Sequence, residues 1–237
     1  MTWLWRICFS LLPAAAALAA DVSGSVRLAD SQVAAVRKGR DYSGVIVWLD
    51  PLEEVERAPA RRVKARIEQR NKQFIPHVLA VQAGSQVEFP NLDPIFHSAF
   101  SNFSGQIFDL GLYAPGTNRT VTFTRTGVVR VFCNIHPTMS AIVVVLKDPW
   151  FAVSGVKGTF RIQDVPPGKY KLNVFHERAA ESVLKALRRT VEVGQDEVTL
   201  PPVVISESGF VEGPHKNKYG HDYPPDKDHS GYGVRNR

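Results

Sequence analysis

Three side chains able to bind a soft metal ion lie close together in the stretch Cys133-Asn-Ile-His136-Pro-Thr-Met139. They place a thiolate, an imidazole and a thioether within seven residues. Two histidines, one cysteine and a weakly bound methionine form the ligand set of mononuclear copper sites that transfer electrons. One imidazole is missing from this stretch, so it has to come from another part of the chain.

His97 is the candidate for the missing imidazole. It ends the upstream segment Val87-Glu-Phe-Pro-Asn-Leu-Asp-Pro-Ile-Phe-His97, in which a strand is predicted to end at Pro90 and a turn-rich loop to present the ring. A histidine or a methionine alone is more often a structural residue, but the four donors at these spacings are far more specific. The sequence therefore predicts one mononuclear type 1 copper ion bound by His97, Cys133, His136 and Met139.

Zinc is the chemical rival of copper in such a pocket, because cysteine and histidine bind both metals. A thioether is a poor zinc ligand, so Met139 favours copper. Hydrogen bonds to the cysteine sulfur tune sites of this kind, and we expect them from backbone amides near Ser98. Pro137 has no N–H group and withholds one possible donor.

The elements that position these residues are predicted to be short β-strands. Strand patterns separated by Gly, Pro, Asn and Asp run from Val22 to Leu146 and resume after Asp148-Pro149-Trp150. Regular short strands with turn signals between them indicate a sandwich or a barrel. We expect an all-β protein with a signal peptide (1–20), a copper domain that has an N-terminal β extension (21–148), a small β-sandwich module (149–208) and a disordered tail (209–237).

The N-terminus has the pattern of a secretory signal peptide. Arg6 precedes an apolar stretch from Ile7 to Leu18, and small residues follow at the predicted cleavage site. Cleavage leaves Cys133 as the one cysteine of the mature chain, and an unpaired thiol in an oxidising compartment usually serves a partner, a metal or catalysis. We expect a periplasmic or secreted protein. No later segment approaches the ~20 apolar residues of a spanning helix, so no membrane span is predicted after cleavage.

The formal net charge of +6 does not indicate nucleic-acid binding. The basic cluster between Arg57 and Lys72 alternates with apolar residues, as in a strand with one solvated face, and it lacks stacking aromatics. The tail is rich in Pro, Gly, His, Lys and Tyr and has no apolar periodicity. Its histidines, His215, His221 and His229, are predicted to remain in solvent and not to bind the ion.

The two motifs resemble those of the cupredoxins, with spacing closest to amicyanin. The resemblance rests on C-x-x-H-x-x-M at 133–139 and F-P-N-x-D-x-x-x-H at 89–97, and it covers roughly Val63 to Leu146. It implies a Greek-key sandwich and matches all four ligand positions. Ser98 departs from the family, in which Asn often follows the upstream histidine and helps to tie the two ligand loops together. We expect the change to loosen the site or shift its potential.

The remaining resemblances concern the second half of the chain. Gly158 to Phe175 resembles the carboxypeptidase-regulatory-like module, and the whole chain resembles bacterial methylamine-utilisation-type proteins. The module implies a binding or spacer role, whereas the copper site implies a monomeric electron carrier, not an enzyme, that works between redox proteins such as a dehydrogenase and a cytochrome. The alternative is an exported copper-binding scaffold or storage protein whose β module binds a ligand, carbohydrate being one candidate.

Overall fold

The computed structural model describes residues 19–55, 64–102, 105–211, 213 and 215–223. The predicted signal peptide therefore lies almost entirely outside the described residues. Within these ranges neither of the two helices has the length or apolar character needed to cross a bilayer. The elements, in chain order, are β1 (Ala20–Ala29), α1 (Ala34–Gly39), β2 (Ile46–Pro51), β3 (Lys64–Arg66), β4 (Glu68–Arg70), β5 (Gln73–Ile75), β6 (Val78–Gln82), β7 (Ser85–Pro90), β8 (His97–Ser101), β9 (Phe108–Tyr113), β10 (Asn118–Phe123), β11 (Gly127–Phe132), β12 (Ser140–Leu146), β13 (Phe151–Val153), β14 (Thr159–Val165), β15 (Gly168–Phe175), α2 (Glu181–Ala186), β16 (Arg189–Val193), β17 (Val198–Thr199) and β18 (Val203–Ser206).

Residues 64–146 form a first sandwich, which carries the predicted metal ligands. One sheet has the strand order β6-β12-β11-β8-β9, and the other has the order β10-β7-β3. Alternate side chains of the two sheets meet in one apolar core, as expected for strands with one buried face. Cys133 and Met139 are part of this core, together with Ile67, Phe74, Val81, Val87, Phe89, Ala99, Val121, Phe123, Val129, Val131, Ala141, Val143 and Val145. The prediction of an all-β protein is confirmed.

Strand β12 is buried on both faces, which explains its unbroken run of apolar residues. Ala141, Val143 and Val145 point into the core of the first sandwich. Ile142 and Val144, which face the other way, pack in a separate cluster with Ile46 of β2. Successive side chains of a strand point to opposite faces, so a strand covered on both sides loses the usual polar alternation. This strand therefore joins the first sandwich to a second one.

The second sandwich is assembled from both ends of the chain. Its sheets have the orders β14-β1-β17, with β18 also pairing with β1, and β13-β2-β15-β16. β1 pairs with β14 from Ala20 to Ser25, and β2 pairs with β15 over its whole length. The sequence placed residues 21–51 in the copper domain as an extension, whereas their backbone hydrogen bonds join them to strands between 151 and 206. Alternating apolar residues show that a segment is a strand but not which sheet it enters.

A buried ionic cluster joins separate segments of the second sandwich, and a neighbouring residue, Glu177, contacts the first sandwich. Glu207, 3% exposed, accepts hydrogen bonds from His176 Nε2 at 2.6 Å and Arg178 Nε at 3.0 Å, and from the hydroxyl of Ser31. Burial lowers the pKa of His176 despite the carboxylate beside it. On the first sandwich, His77 contacts Glu177 at 2.8 Å. Breaking such a buried cluster by removing one partner is costly.

Candidate metal centre

The loop between β11 and β12 carries three of the four predicted ligands. Backbone hydrogen bonds close it from inside, from Cys133 N to the Met139 carbonyl and from Met139 N to the His136 carbonyl, both at 3.1 Å. Phe132 and Ser140, the strand residues on either side of the loop, are direct partners in the antiparallel pair. The sheet therefore fixes both ends of the loop and leaves only residues 133–139 free of the ladder.

His97 comes to the same place from the neighbouring strand. It is the first residue of β8, where the sequence predicted a loop, and β8 pairs with β11 through Phe100 and Phe132. The Sγ atom of Cys133 lies 3.5 Å from Nδ1 of His136 and 3.9 Å from Nδ1 of His97. The three ligand atoms all lie within 4.8 Å of one another. The predicted His-Cys-His set is therefore brought together.

The spacing and chemistry of these donors fit a single soft metal ion. An ion bound at about 2.0–2.3 Å from nitrogen and sulfur holds its donors a few ångströms apart, as they are here. Met139 is 1% exposed and belongs to the same apolar cluster as Cys133, so its thioether is also buried beside the loop. His97 and Cys133 are fully buried, whereas His136 is only half-buried. Two imidazoles and one thiol would hold the ion, with Met139 as the soft fourth donor.

The thiol of Cys133 is prepared to act as a thiolate. Burial on its own would raise its pKa, but hydrogen bonds from His136 and His97, and from the backbone at Ser98 and Ile135, outweigh burial and lower the pKa to about 5. The expected backbone donor near Ser98 is thus present. The thiolate is the form that binds metal, and the lowered pKa means that Cys133 is already a thiolate at neutral pH in the metal-free site.

Ser98 ties the two ligand-bearing segments together. Its hydroxyl accepts a hydrogen bond from the backbone N–H of Asn134 at 2.7 Å and lies 3.7 Å from the sulfur of Cys133. A looser link was expected here than the one that asparagine provides in the cupredoxins that the motif resembles. The side chain is shorter, but it sits on β8 directly beside the loop and reaches the first amide after the cysteine.

Asp93 contacts the predicted ligand His97 and was not among the residues that the sequence singled out. Its Oδ2 atom lies 2.7 Å from Nε2 of His97, and the two side chains are 7% and 0% exposed. An ionised carboxylate can only accept, so His97 donates from Nε2, and Nδ1 is the ring nitrogen that faces Cys133. Metal-binding histidines are commonly held in this way. The signal was present as D-x-x-x-H, four residues before the ligand.

Asp93 is itself held by the chain on three sides. It accepts hydrogen bonds from the backbone N–H groups of Asn71 at 2.6 Å and Lys72 at 2.8 Å. Its own N–H donates to the side chain of Asn91 at 3.1 Å. Although burial raises the pKa of Asp93, these donors and His97 outweigh burial and lower it. The carboxylate is therefore fixed, charged and unable to rotate away from the imidazole.

The described part of the predicted tail lies against the ligand loop. His215 Nε2 contacts the carbonyl oxygen of His136 at 3.1 Å, and the hydroxyl of Tyr223 donates to the carbonyl oxygen of Cys133 at 2.6 Å. The sequence predicted no order here, because these contacts use isolated polar and aromatic groups and leave no apolar period. His215 does not belong to the group of converging metal donors, and His229 lies outside the described residues.

Solved structures with a partial likeness to this chain include copper proteins. The copper-containing nitrite reductase NirK from Thermus scotoductus SA-01 is 25% identical with a TM-score of 0.34, over 41% of this chain and 25% of the reductase. A purple cupredoxin from Nitrosopumilus maritimus is 23% identical with a TM-score of 0.33, over 35% of this chain and 99% of its own. A reduced amicyanin variant is 19% identical with a TM-score of 0.33, over 42% and 99%.

This chain thus spans about a quarter of the nitrite reductase that it matches. No protein-family model matches the chain, and neither does any curated protein. Because these TM-scores are low, the assignment of the metal ligands rests on the positions of the side chains in this chain.

Proposed function

We propose that this protein is an exported type 1 copper protein that carries single electrons between redox partners. The observation that carries the proposal is the convergence of His97 and Cys133, both buried, with the half-buried His136, with their ligand atoms within 4.8 Å of one another. Copper held there by these residues and Met139 supplies a one-electron Cu(II)/Cu(I) couple. The lowered pKa of Cys133 and the fixed orientation of His97 support this donor set over a chance cluster.

The burial of the donors favours a carrier over an enzyme. Cys133 and His97 are fully buried, so a substrate has no access to an ion on their side. His136 is the half-buried member of the set and gives the shortest path from the site to solvent. An electron can pass through one imidazole edge, whereas a substrate needs an open coordination position. We include in the proposal that the chain has no catalytic activity of its own.

The anchoring of the donors favours repeated electron transfer. His97 is held by β8 and Asp93, and the loop that carries the other donors is pinned at both ends by paired strands. Donors fixed in this way keep nearly the same positions in both oxidation states. The protein then has little to rearrange when the electron moves, and the charge change costs little reorganisation energy.

The cellular setting of the proposal rests on the sequence and on the surface near the site. The signal-peptide pattern supports a location in the periplasm or outside the cell. We include in the proposal that the chain is a monomer and exchanges electrons with proteins such as a dehydrogenase and a cytochrome. Phe96, Leu112 and Ile135, which neighbour the donors in sequence or in the sheet, are 52%, 58% and 40% exposed. A small apolar surface of this kind suits brief encounters.

The proposal is tested by loading the full chain with Cu(II) and mixing it with a reduced c-type cytochrome in a stopped-flow instrument. Oxidation of the cytochrome and bleaching of an intense visible band should follow the same time course. A coloured site that exchanges no electrons with any such partner would favour the storage or scaffold function. A chain that binds zinc in preference and stays colourless would overturn both.

A further inference from the structure

The segment 215–223, called the strap here, crosses the ligand loop and contacts its backbone at successive points. His215 donates from its backbone N–H to the carbonyl of Pro137 at 3.2 Å. Its ring stacks on Phe132, the last residue before the loop, with centroids 4.4 Å apart and planes inclined by 32°. Together with the contact from Nε2 to the carbonyl of His136, these bonds fix the second half of the loop.

The other end of the strap fixes the first half of the loop. The hydroxyl of Tyr223 donates to the carbonyl oxygen of Cys133 at 2.6 Å and lies 3.3 Å from Nδ1 of His215. The backbone N–H of Lys218 donates to the side-chain oxygen of Asn134 at 2.9 Å. The rings of His215 and Tyr223 are 5.3 Å apart and perpendicular, so the two ends of the strap support each other.

The strap is also fastened to the sheet outside the loop. The ammonium group of Lys218 pairs with Asp109 of β9 at 2.9 Å, and the side chain of Asn102 donates to the Lys218 carbonyl at 3.4 Å. Within the strap, Asn217 accepts hydrogen bonds from the N–H groups of Tyr219 and His221 and closes a tight turn. The strap therefore has its own turn, an anchor on β9 and a row of contacts on the loop.

The contacts lie where the loop has no sheet partner. Carbonyl groups at 133, 136 and 137 and the side chain of Asn134 all bond to the strap, and residues 133–139 are the part of the chain between the paired ends of β11 and β12. Backbone groups without a partner must bond to water or to another part of the chain. The hydrogen bonds inside the loop join its own residues, whereas the strap bonds the loop to a segment that is anchored on β9.

We propose that the strap is a clamp that holds the ligand loop in its metal-binding conformation and so slows release of the bound ion, with Tyr223 and His215 as positioning residues. The proposal rests on the function proposed above for what the loop binds. The clamping itself is a property of the metal-free chain. For the ion to leave, the donors on the loop must move away from His97, and the strap opposes that movement through the backbone of Cys133 and His136.

The test uses full-length variants in which the side-chain contacts of Tyr223 and His215 with the loop are removed and the fold is kept. Tyr223→Phe removes one hydroxyl and leaves the ring, and the double variant Tyr223→Phe/His215→Ala also removes the stack on Phe132. Tyr219→Phe is the matched control, because Tyr219 lies in the same segment with its side chain 70% exposed. Hydrogen exchange of the backbone amides of residues 134–136, 138 and 139 is measured in the metal-free protein, and copper release to an excess of chelator is measured in the loaded protein.

We expect faster loop exchange and faster copper release in step with each other. One hydrogen bond changes an opening equilibrium by a factor of about 2–10, so Tyr223→Phe should act within that range and the double variant beyond it. The absorption maximum of the loaded site should shift as well, which a purely structural role elsewhere would not cause. Tyr219→Phe should change none of these quantities.

Three results would overturn the clamp. Unchanged exchange in the double variant would show that the strap does not hold the loop. Faster exchange with unchanged copper release would show that the strap holds the loop without retaining the ion. Equal effects from Tyr219→Phe would place the cause elsewhere in the tail. If the unmodified chain binds no copper, the proposed function fails, while exchange in the metal-free variants still decides whether the strap clamps the loop.

Discussion

Replacing Asp93 by asparagine should weaken copper binding without touching any ligand. The carboxylate accepts three hydrogen bonds, from the backbone N–H groups of Asn71 and Lys72 and from Nε2 of His97, at 2.6 to 2.8 Å. An asparagine side chain has one acceptor oxygen and one NH₂ group. In either orientation the NH₂ group faces at least one of these N–H donors, so the asparagine cannot accept all three hydrogen bonds.

The size of the effect follows from the weaker hold on His97, which loses either its acceptor or the negative charge of that acceptor. Removing the partner that holds a metal-binding histidine typically lowers metal affinity by about 10–100-fold. This corresponds to about 1.4–2.8 kcal/mol of binding free energy. The metal-free protein should also lose about 1–3 kcal/mol of unfolding free energy, because a buried N–H group is left facing another donor. The two losses have one cause and should appear together.

Copper affinity of Asp93→Asn is measured by competition with a chelator of known affinity, and unfolding by urea titration of the metal-free protein. Asp196→Asn is the control, since Asp196 is exposed in the turn after β16 and should leave both quantities unchanged. Copper affinity within twofold of the unmodified protein would refute the role assigned to Asp93. A lower unfolding free energy with unchanged copper affinity would show that Asp93 stabilises only the turn at Asn71 and Lys72.

Three further predictions concern the thiol and the second sandwich. In the metal-free protein the ultraviolet thiolate absorbance of Cys133 should titrate with a pKa of about 5, against 9.0 for an ordinary thiol. If the midpoint in the folded chain is near 9.0 and equal to that in guanidinium, the hydrogen bonds assigned to Cys133 are contradicted. Glu207→Ala leaves the buried imidazole of His176 and the partly buried guanidinium of Arg178 without their carboxylate and should cost about 3 kcal/mol in urea unfolding. The control Glu197→Ala breaks a surface pair worth less than about 1 kcal/mol. Equal losses in the two variants would refute the importance of the buried cluster. Gly158→Ala places a Cβ 2.2 Å from a carbonyl oxygen of β1 at φ +77° and should cost about 1–3 kcal/mol of unfolding free energy. The control Gly194→Ala has open space around it and should be nearly neutral. A neutral Gly158→Ala would contradict the close approach of β1.

The sequence was sufficient to predict the all-β class and the convergence of the ligands. Thiolate, imidazole and thioether in C-x-x-H-x-x-M have to share a loop, and a strand on each side of that loop follows from the alternating apolar residues. His97 could be added because the end of the preceding strand at Pro90 and the turn-rich segment after it were readable. The sequence did not predict that His97 begins a strand, because residues 97–101 are all buried and show no alternation.

What the sequence did not predict are contacts between distant segments. The pairing of β1 and β2 with strands beyond residue 151 depends on which sheet edges remain open, and a two-residue period carries no such information. Asp93 was visible beside His97, but its role depends on the backbone N–H groups of Asn71 and Lys72 coming to face it. The strap has no apolar period, because it binds through single hydrogen bonds to loop carbonyls.

The most direct test of the central claim is the visible spectrum of the Cu(II)-loaded full chain, measured beside that of Cys133→Ser. The thiolate–copper bond should give the unmodified protein one intense visible band at one copper per chain. Cys133→Ser should lose the band and keep the far-ultraviolet circular dichroism of the β-sandwiches, because the other core residues hold the strands together. Retention of the band in Cys133→Ser, or a colourless protein that binds one copper through an intact Cys133, would contradict the account.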